Sequence, residues 1–222
     1  MRSVTAAASR KVRPEAKTSS KTRGSKTRTQ SNTLTALRRQ EIVQAAIKIF
    51  SRRGFDAARA EDIAHAAKIA KGTLYLYFRS KEALYSAVIA HAVQELQTLS
   101  AQHIEAADTF TEKLTAAISV RLHFWTEHQA LYRLLLTLGR EPKHRRQTND
   151  LLRSGQQHLL ELFTEAIAAK QIAKGDYTSL AWAILDMIRG ATERRMEKLS
   201  IFSVDEDAKA LTAFALKAAG VS

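Results

Sequence analysis

Apolar residues along most of this chain recur at three- and four-residue steps, the spacing that places side chains on one face of an α-helix. The first such helix carries Ile42, Ala45, Ala46, Ile49 and Phe50. The same pattern continues in eight further segments: residues 61–67, 71–78, 81–106, 110–125, 129–138, 144–170, 177–199 and 205–219. Because no segment alternates apolar and polar residues over the length of a strand, the sequence predicts an all-α protein of about nine helices.

Glycines and small polar residues mark several of the predicted helix ends. Gly54 supplies a stop for the first helix, since glycine is common just past a helix C-terminus. Ser80 and Asp108 precede two later helices, and their side-chain oxygens can accept a hydrogen bond from a free backbone amide. The sequence therefore predicts that these two residues are N-caps.

The composition excludes several classes of protein. Hydrophobic residues make up 45% of the 222 residues, which excludes disorder over the whole chain. Cysteine is absent, so a disulfide framework and a thiolate metal or redox site are excluded. No apolar run reaches about 18 residues, so we expect no transmembrane helix, no membrane partner and a cytoplasmic protein.

The net charge of +13 is concentrated at the N-terminal end. Residues 1–36 hold nine Lys and Arg against one acid, and residues 37–84 hold ten against five. Residues 85–222 hold sixteen of each sign, so the excess of 8 + 5 lies entirely before residue 85. This asymmetry indicates one end that faces a polyanion and a neutral remainder.

Residues 1–36 are rich in Ser, Thr, Lys and Arg and have almost no bulky apolar side chains. Such a segment cannot bury enough surface to offset its chain entropy, so the sequence predicts a disordered basic tail. Two roles for the tail fit equally well: an arm that contacts DNA without sequence preference, and an inert solvated extension.

Two short predicted helices joined by a tight connection, residues 61–67 and 71–78, form a helix-turn-helix candidate. The second helix of such a motif enters the DNA major groove, where its N-terminal residues reach the base edges. Gly72 permits a close backbone approach, and Leu74 and Phe78 lie four residues apart on the inward face. Thr73 and Tyr75 then point outward with hydroxyl groups that can contact phosphate or base.

Residues 38–89 resemble the N-terminal domain of TetR/AcrR-type transcriptional regulators. The resemblance rests on four linked motifs at the family's spacing, AAIKIFSRRGF, EDIA, KGTLYLYF and SKEALY. It implies a homodimer that binds a pseudo-palindromic operator in double-stranded DNA. After the tail at residues 1–36, it also implies a three-helix DNA-binding domain at residues 37–84 and a helical domain for effector binding and dimerisation at residues 85–222.

The resemblance assigns DNA-binding roles to individual residues. Those on the operator-facing helix are Lys71, Gly72, Thr73, Tyr75, Leu76 and Tyr77. Lys81 occupies the phosphate-contacting start of the following helix. The chain departs from the family where a hydroxyl residue often opens the second helix, since Ala58, Arg59 and Ala60 stand there; Arg59 is therefore assigned the charge contact. Lys68 stands where the turn often has glycine, so a left-handed Lys68 would cost about 1–2 kcal/mol.

The C-terminal part offers a dimer interface and a ligand pocket. The segment from Leu180 to Ile188 is apolar nearly all round, and together with the last helix it predicts a two-fold four-helix interface. Its candidate residues are Ile184, Ile188, Leu211 and Ala215. The candidate pocket residues are Leu122, Trp125, His128, Leu135, Phe163, Trp182 and Arg189, with His123 and Tyr132 as further polar groups. Such a pocket suits a small, largely apolar effector, and an ordinary hydrophobic core is the competing interpretation.

The sequence predicts neither an enzyme nor a cofactor or metal site. It contains no Gly-rich phosphate loop, no Gly-x-Ser-x-Gly elbow and no cysteine nucleophile. His123 and His128 are five residues apart, which is the wrong spacing for two metal ligands on one helix face. The predicted function is a sequence-specific regulator, most simply a repressor released by its effector. A nucleoid-type protein that coats DNA without a ligand is the alternative, although it leaves the neutral C-terminal part without a role.

Overall fold

The computed structural model describes residues 23–139 and 141–221, apart from the side chains of residues 23–32, 143 and 147. Of the described residues, 23–39 and 40–221 belong to two separate units, and all the packing described below lies within the second. The described residues contain nine α-helices and no strand: α1 Arg23–Ala57, α2 Ala60–Ala66, α3 Lys71–Tyr77, α4 Lys81–Glu105, α5 Phe110–Glu127, α6 Gln129–Gly139, α7 Pro142–Ala168, α8 Thr178–Met196 and α9 Val204–Ala218. The all-α prediction and the predicted number of helices are confirmed.

Helix α1 begins at Arg23, fourteen residues before Leu37, where the hydrophobic pattern predicts the start of the first helix. Residues 23–36 are helical, where the sequence predicted disorder; the rest of the predicted tail, residues 1–22, lies outside the described residues. Extending an existing helix fixes one residue per added hydrogen bond, so it costs far less than nucleation. The periodicity misses the extension because residues 33–41 bury no side chain. At the other end, Gly54 breaks the helical geometry with a φ of 75°, as predicted.

Side-chain caps fix the starts of three helices. Ser80 Oγ accepts a hydrogen bond from the Ala83 amide at 3.1 Å, which confirms Ser80 as the N-cap of α4. The cap of α5 is Thr109, so the prediction of Asp108 is one residue off. Thr109 and Glu112 form a capping box, and Ser203 and Glu206 form another at α9. Hydrogen bonds from Thr109 hold the pKa of Glu112 below its usual range.

The core consists of two hydrophobic clusters. The first joins α1, α2, α3 and the first half of α4 to the end of α5 and to α6. At its centre is Tyr85 on α4. The centroid of its ring lies 5.6 Å from that of Phe55 and 4.7 Å from that of His144 on α7. Helix α4 thus runs without a break through the predicted domain boundary at residue 84.

The second cluster joins α5, α7, α8 and α9. Its centre is a set of fully buried side chains, among them Leu114, Ile118, Leu159 and Ile184. A largely buried ion pair between Arg195 and Asp207 ties the end of α8 to the start of α9. Among the described residues, none of the helices combines the length and the apolar character that a bilayer crossing requires.

The turn between α2 and α3 places Lys68 in the left-handed region, with a φ of 57°. Lys68→Gly should therefore raise the free energy of unfolding by roughly 0.5–1 kcal/mol, since the strain of about 1–2 kcal/mol is partly offset by the greater entropy of an unfolded glycine. Urea denaturation of both proteins measures the difference. Lys68→Ala is the control and should bring no gain; equal stabilities of the glycine variant and the natural protein would contradict the prediction.

Candidate nucleic-acid interface and internal cavity

Helices α2 and α3 form the predicted helix-turn-helix, and its inward face is as the sequence indicated. Leu74 and Phe78 are each 3% exposed and belong to the first hydrophobic cluster. From α2, Ile63 and Ala64 are buried in the same cluster. These four side chains fix the orientation of α3, so the residues between them face away from the core.

The outward face of α3 carries two large exposed side chains. Leu76 is 84% exposed and Tyr75 is 44% exposed. Gly72 is exposed as well; its φ is not positive, and a Cβ added there would meet no atom within 4 Å. Neither the conformation nor the packing of this protein therefore requires glycine at position 72. Thr73 and Tyr77 are only half exposed, and Tyr77 also packs against the first cluster, so their assignment to DNA binding stays a prediction.

Exposed charges surround α3. The ammonium group of Lys71 lies 2.5 Å from Glu61 Oε1, and this hydrogen bond holds the pKa of Glu61 low and that of Lys71 high. Arg59 is exposed immediately before α2, and its side chain makes no capping hydrogen bond. Since exposed ion pairs contribute little, a phosphate group can replace Glu61 as the partner of Lys71.

The structure corrects the role assigned to Lys81. Its ammonium group donates to the backbone oxygens of Phe55, Asp56 and Ala58 at 2.8, 3.2 and 3.4 Å, and it lies 4.5 Å from the centre of the Phe55 ring. These acceptors use the three N–H groups that lysine has. Lys81 therefore holds the end of α1 against the start of α4 and does not point outward to a phosphate. The family resemblance placed Lys81 correctly at the start of α4, but it did not give the contacts of the side chain.

A cavity of about 440 Å³ lies between α4, α5, α6, α7 and α8. Three of the predicted pocket residues line it, namely Trp125, Leu135 and Arg189, and Tyr132 lines it too. Ile188, predicted for the dimer interface, also faces this cavity. The apolar wall is what the sequence indicated, although the set of residues differs.

The other predicted pocket residues lie elsewhere. Leu122 and Phe163 are fully buried in the second cluster, because they share the inward stripes of α5 and α7. Trp182 is half-buried on α8 and does not line the cavity. His123 and His128 line a separate, more open pocket between α4 and α5; His123 pairs with Asp205 at 2.8 Å, and His128 stacks on Phe124.

Arg121 also lines the cavity while only 6% exposed, and it is not among the pocket residues predicted from the sequence. The signal was present: Arg121 falls four residues after Ala117 and four before Trp125, on the apolar stripe of α5. A charged residue on a buried helix face is rare and is retained where it has a partner or a role.

The predicted dimer residues turn inward in the protomer. Ile184, Ile188, Leu211 and Ala215 are all buried in the second cluster, so their assignment to an interface is wrong. Periodicity identifies a buried face without telling which element covers it. The outward face of α9 instead carries Ala210, Ala213 and Phe214, and Phe214 is 67% exposed.

This geometry, with a short exposed helix docked on a tight turn, defines the helix-turn-helix class of DNA-binding domain. Residues 42–88 match the family model for bacterial regulatory proteins of the tetR family. The N-terminal part of the chain is therefore similar to TetR/AcrR-type transcriptional regulators.

Individual relatives are similar over part of their length. The uncharacterized HTH-type transcriptional regulator YhgD of Bacillus subtilis is 29% identical over 92 residues, 41% of this chain and 48% of YhgD. The HTH-type transcriptional repressor KstR2 of Mycolicibacterium smegmatis is 38% identical over 80 residues, 36% of this chain and 39% of KstR2. The chain thus spans about half or less of the length of these curated relatives.

The similarity of fold extends further along the chain. The crystal structure of the transcriptional regulator FadR from Bacillus subtilis in complex with stearoyl-CoA superposes with a TM-score of 0.69 at 22% identity. The superposition covers 79% of this chain and 96% of that chain. The helical architecture C-terminal to the matched domain is therefore shared as well.

The contacts of Lys81 predict that it stabilises the helix-turn-helix. Lys81→Met should lower the free energy of unfolding by about 2 kcal/mol, because three backbone oxygens lose a charged donor. Thermal or urea denaturation measures the loss. Lys71→Met is the matched control and should leave stability nearly unchanged, since its ion pair is exposed. An unaltered stability of the Lys81 variant would show that its ammonium group does not hold these helices.

Proposed function

We propose that this protein is a dimeric, sequence-specific transcriptional repressor that leaves its DNA operator when a small, largely apolar effector enters the cavity. The observation that carries the DNA-binding part is the outward face of α3. It combines the exposed side chains of Tyr75 and Leu76 with a glycine that nothing inside the protein requires. A bare backbone at position 72 lets the start of α3 approach a groove closely, and Leu76 can contact a thymine methyl group.

The charge distribution supports binding to a polyanion. Residues 37–84 carry a net charge of 10 − 5 = +5, and Lys71, Arg59, Arg52 and Arg79 are exposed around the helix-turn-helix. Phosphate contacts of this kind position a protein on DNA, whereas contacts to base edges give sequence specificity. A pseudo-palindromic operator follows if two copies present α3 symmetrically.

The outward faces of α8 and α9 support dimerisation. Exposed Ala183 on α8 and exposed Ala210, Ala213 and Phe214 on α9 form small-residue surfaces around one large apolar side chain. A second copy of the same surface can cover Phe214 while the alanines allow close helix approach, which gives a four-helix interface. This face replaces the buried residues that the sequence analysis selected.

A packed route between cavity and DNA-binding helices supports regulation by an effector. Thr148 of α7 lines the cavity, and one turn earlier the buried His144 packs against Tyr85 and Phe55. Gly139 lies so close to α7 that a Cβ there would be 2.6 Å from Thr148 Oγ1. An effector that displaces the start of α7 therefore moves side chains that support α1 and α4. Occlusion of a promoter by the bound dimer would give repression.

The exposed face of α3 predicts the effect of two substitutions on DNA binding. Tyr75→Ala and Gly72→Ala should each weaken binding to the operator at least about tenfold, while the stability stays the same or, for Gly72→Ala, rises slightly. Operators are first selected from random duplexes, and affinity is then measured by fluorescence anisotropy over a salt series, where binding should fall steeply as salt rises.

Ala90→Ser, an exposed change on α4, is the control and should bind like the natural protein. Unchanged affinity of both α3 variants would refute the assignment. Footprinting separates a regulator, which protects one discrete palindrome, from the alternative of a nucleoid-type protein, which covers DNA without regard to sequence.

The exposed side chain of Phe214 predicts a variant that separates the two copies. Phe214→Glu should yield a folded monomer, because a buried charge without a partner is costly in an interface. Light scattering at micromolar concentration should report about 25 kDa instead of about twice that mass, as the chain is 24.7 kDa. Leu76→Glu is the control: it also replaces an apolar side chain with a charged one, but on α3, and this variant should stay dimeric. A natural protein that is monomeric, or a dimeric Phe214 variant, would overturn this interface.

A further inference from the structure

The cavity contains one deeply buried positive charge, the guanidinium group of Arg121 on α5. The residue is 6% exposed, and Nη1 donates to the backbone oxygen of Ala117 at 2.8 Å and to Ser100 Oγ at 3.3 Å. Both hydrogen bonds use the same nitrogen. A guanidinium has five N–H donors, and in the described part of the chain Nε and Nη2 donate to no protein acceptor.

Arg121 has no carboxylate partner among the described residues, unlike the largely buried Arg195. Arg195 on α8 is paired with Asp207, whereas no ion pair of the described residues includes Arg121. Burial alone lowers the pKa of Arg121, to about 10, so the group stays charged near neutral pH. A buried charge without a counter-ion is costly, and proteins usually satisfy it with an opposite charge.

The rest of the cavity is mainly apolar, with Leu96, Leu135, Leu151, Leu185 and Ile188 on its wall. The carboxylate on its wall, Glu193, influences Tyr132 instead, because burial and then the charge of Glu193 raise the pKa of Tyr132. Glu193 makes no contribution to the pKa of Arg121. Arg189, the other cation of the wall, is exposed and paired with Asp186 at 3.0 Å. Arg121 is therefore the buried cation to which an anion inside the cavity would bind.

The groups behind Arg121 hold it without neutralising it. Ser100 Oγ accepts from Nη1 and lies 3.5 Å from His158 Nε2. Burial, and secondarily the charge of Arg121, lowers the pKa of His158, which favours the neutral imidazole. Ser100 and His158 thus position the guanidinium as neutral groups, and its charge remains available to a ligand.

We propose that the effector carries a terminal carboxylate on an apolar body, and that Arg121 binds this carboxylate inside the cavity through its free N–H groups. The proposal rests on the effector cavity of the proposed function and specifies the chemical class of the effector. Straight-chain and aromatic carboxylic acids share this chemistry, and the apolar wall accommodates the body of either.

Ligand binding to the full-length protein tests the proposal directly. The chain has two tryptophans, and in a Trp182→Phe background the fluorescence of Trp125 reports from the cavity wall. The titrants are dodecanoate, its methyl ester, dodecanol, a phenylalkanoate of matched length and dodecanoyl-CoA. Dodecanoate or the phenylalkanoate should bind at least about tenfold more tightly than the ester and the alcohol, and these two acids distinguish an aliphatic from an aromatic body.

Arg121→Met keeps the volume of the side chain and removes its charge. It should weaken binding of the carboxylate about tenfold to a hundredfold and leave binding of dodecanol equal or tighter. Arg189→Met, at an exposed cation of the same wall, is the matched control and should change carboxylate binding less than about twofold. Should Arg121→Met fold poorly, the comparison of acid, ester and alcohol in the natural protein decides alone.

Three outcomes would overturn the proposal: equal binding of acid and alcohol, an Arg121 variant that still prefers the acid, and binding of dodecanoyl-CoA without binding of either acid. Operator binding measured in parallel separates this result from the proposed function. A protein that binds its operator but shows no preference for carboxylates contradicts only the inference. If the protein prefers carboxylates but selects no operator sequence, only the proposed regulatory function is contradicted.

Discussion

The contact of Tyr85 with Phe55 and His144 is the interaction on which the rest of this structure depends. Tyr85 is 1% exposed and lies where the DNA-binding helices meet α7. Burial in this apolar environment raises the pKa of Tyr85 to about 12, so the ring stays neutral. Because packed interiors do not deform continuously, a shift of α7 at this contact must be accommodated by α1 and α4. The proposed coupling between the cavity and the DNA-binding helix would depend on this contact.

Lys81, whose role the structure corrects, and Arg121, which was not predicted from the sequence, show opposite uses of a buried or partly buried charge. Lys81 has its donors filled by three backbone oxygens, so it stabilises the fold and offers little to another molecule. Arg121 has two acceptors on a single nitrogen, so most of its donors remain free. The difference follows from the surroundings: the end of α1 presents three backbone oxygens to Lys81, whereas the middle of α5 offers Arg121 only the oxygen of Ala117.

Much of the fold could be predicted from the sequence because helices with one buried face repeat their apolar residues at a fixed spacing. Leu74 and Phe78 were placed correctly for that reason, and Ser80 because its hydroxyl has one obvious acceptor role at a helix start. Ile184 and Leu211 were misplaced because the spacing of apolar residues shows that a helix face is buried. It does not show whether the same chain or a second copy covers that face. The helical residues 23–36 were missed because a helix that buries nothing leaves no apolar period.

The connection from α8 to α9 carries exposed apolar side chains that are nevertheless held in place. Leu199, Ile201 and Phe202 are all exposed there. Arg195 donates to the Phe202 backbone oxygen at 2.9 Å while pairing with Asp207, and the Ser203 cap fixes the start of α9 directly afterwards. Side chains on a free loop would fold back to bury themselves, but this backbone is tied at both ends. The apolar surface of the connection from α8 to α9 is therefore preorganised, and covering it would require little further ordering of the chain.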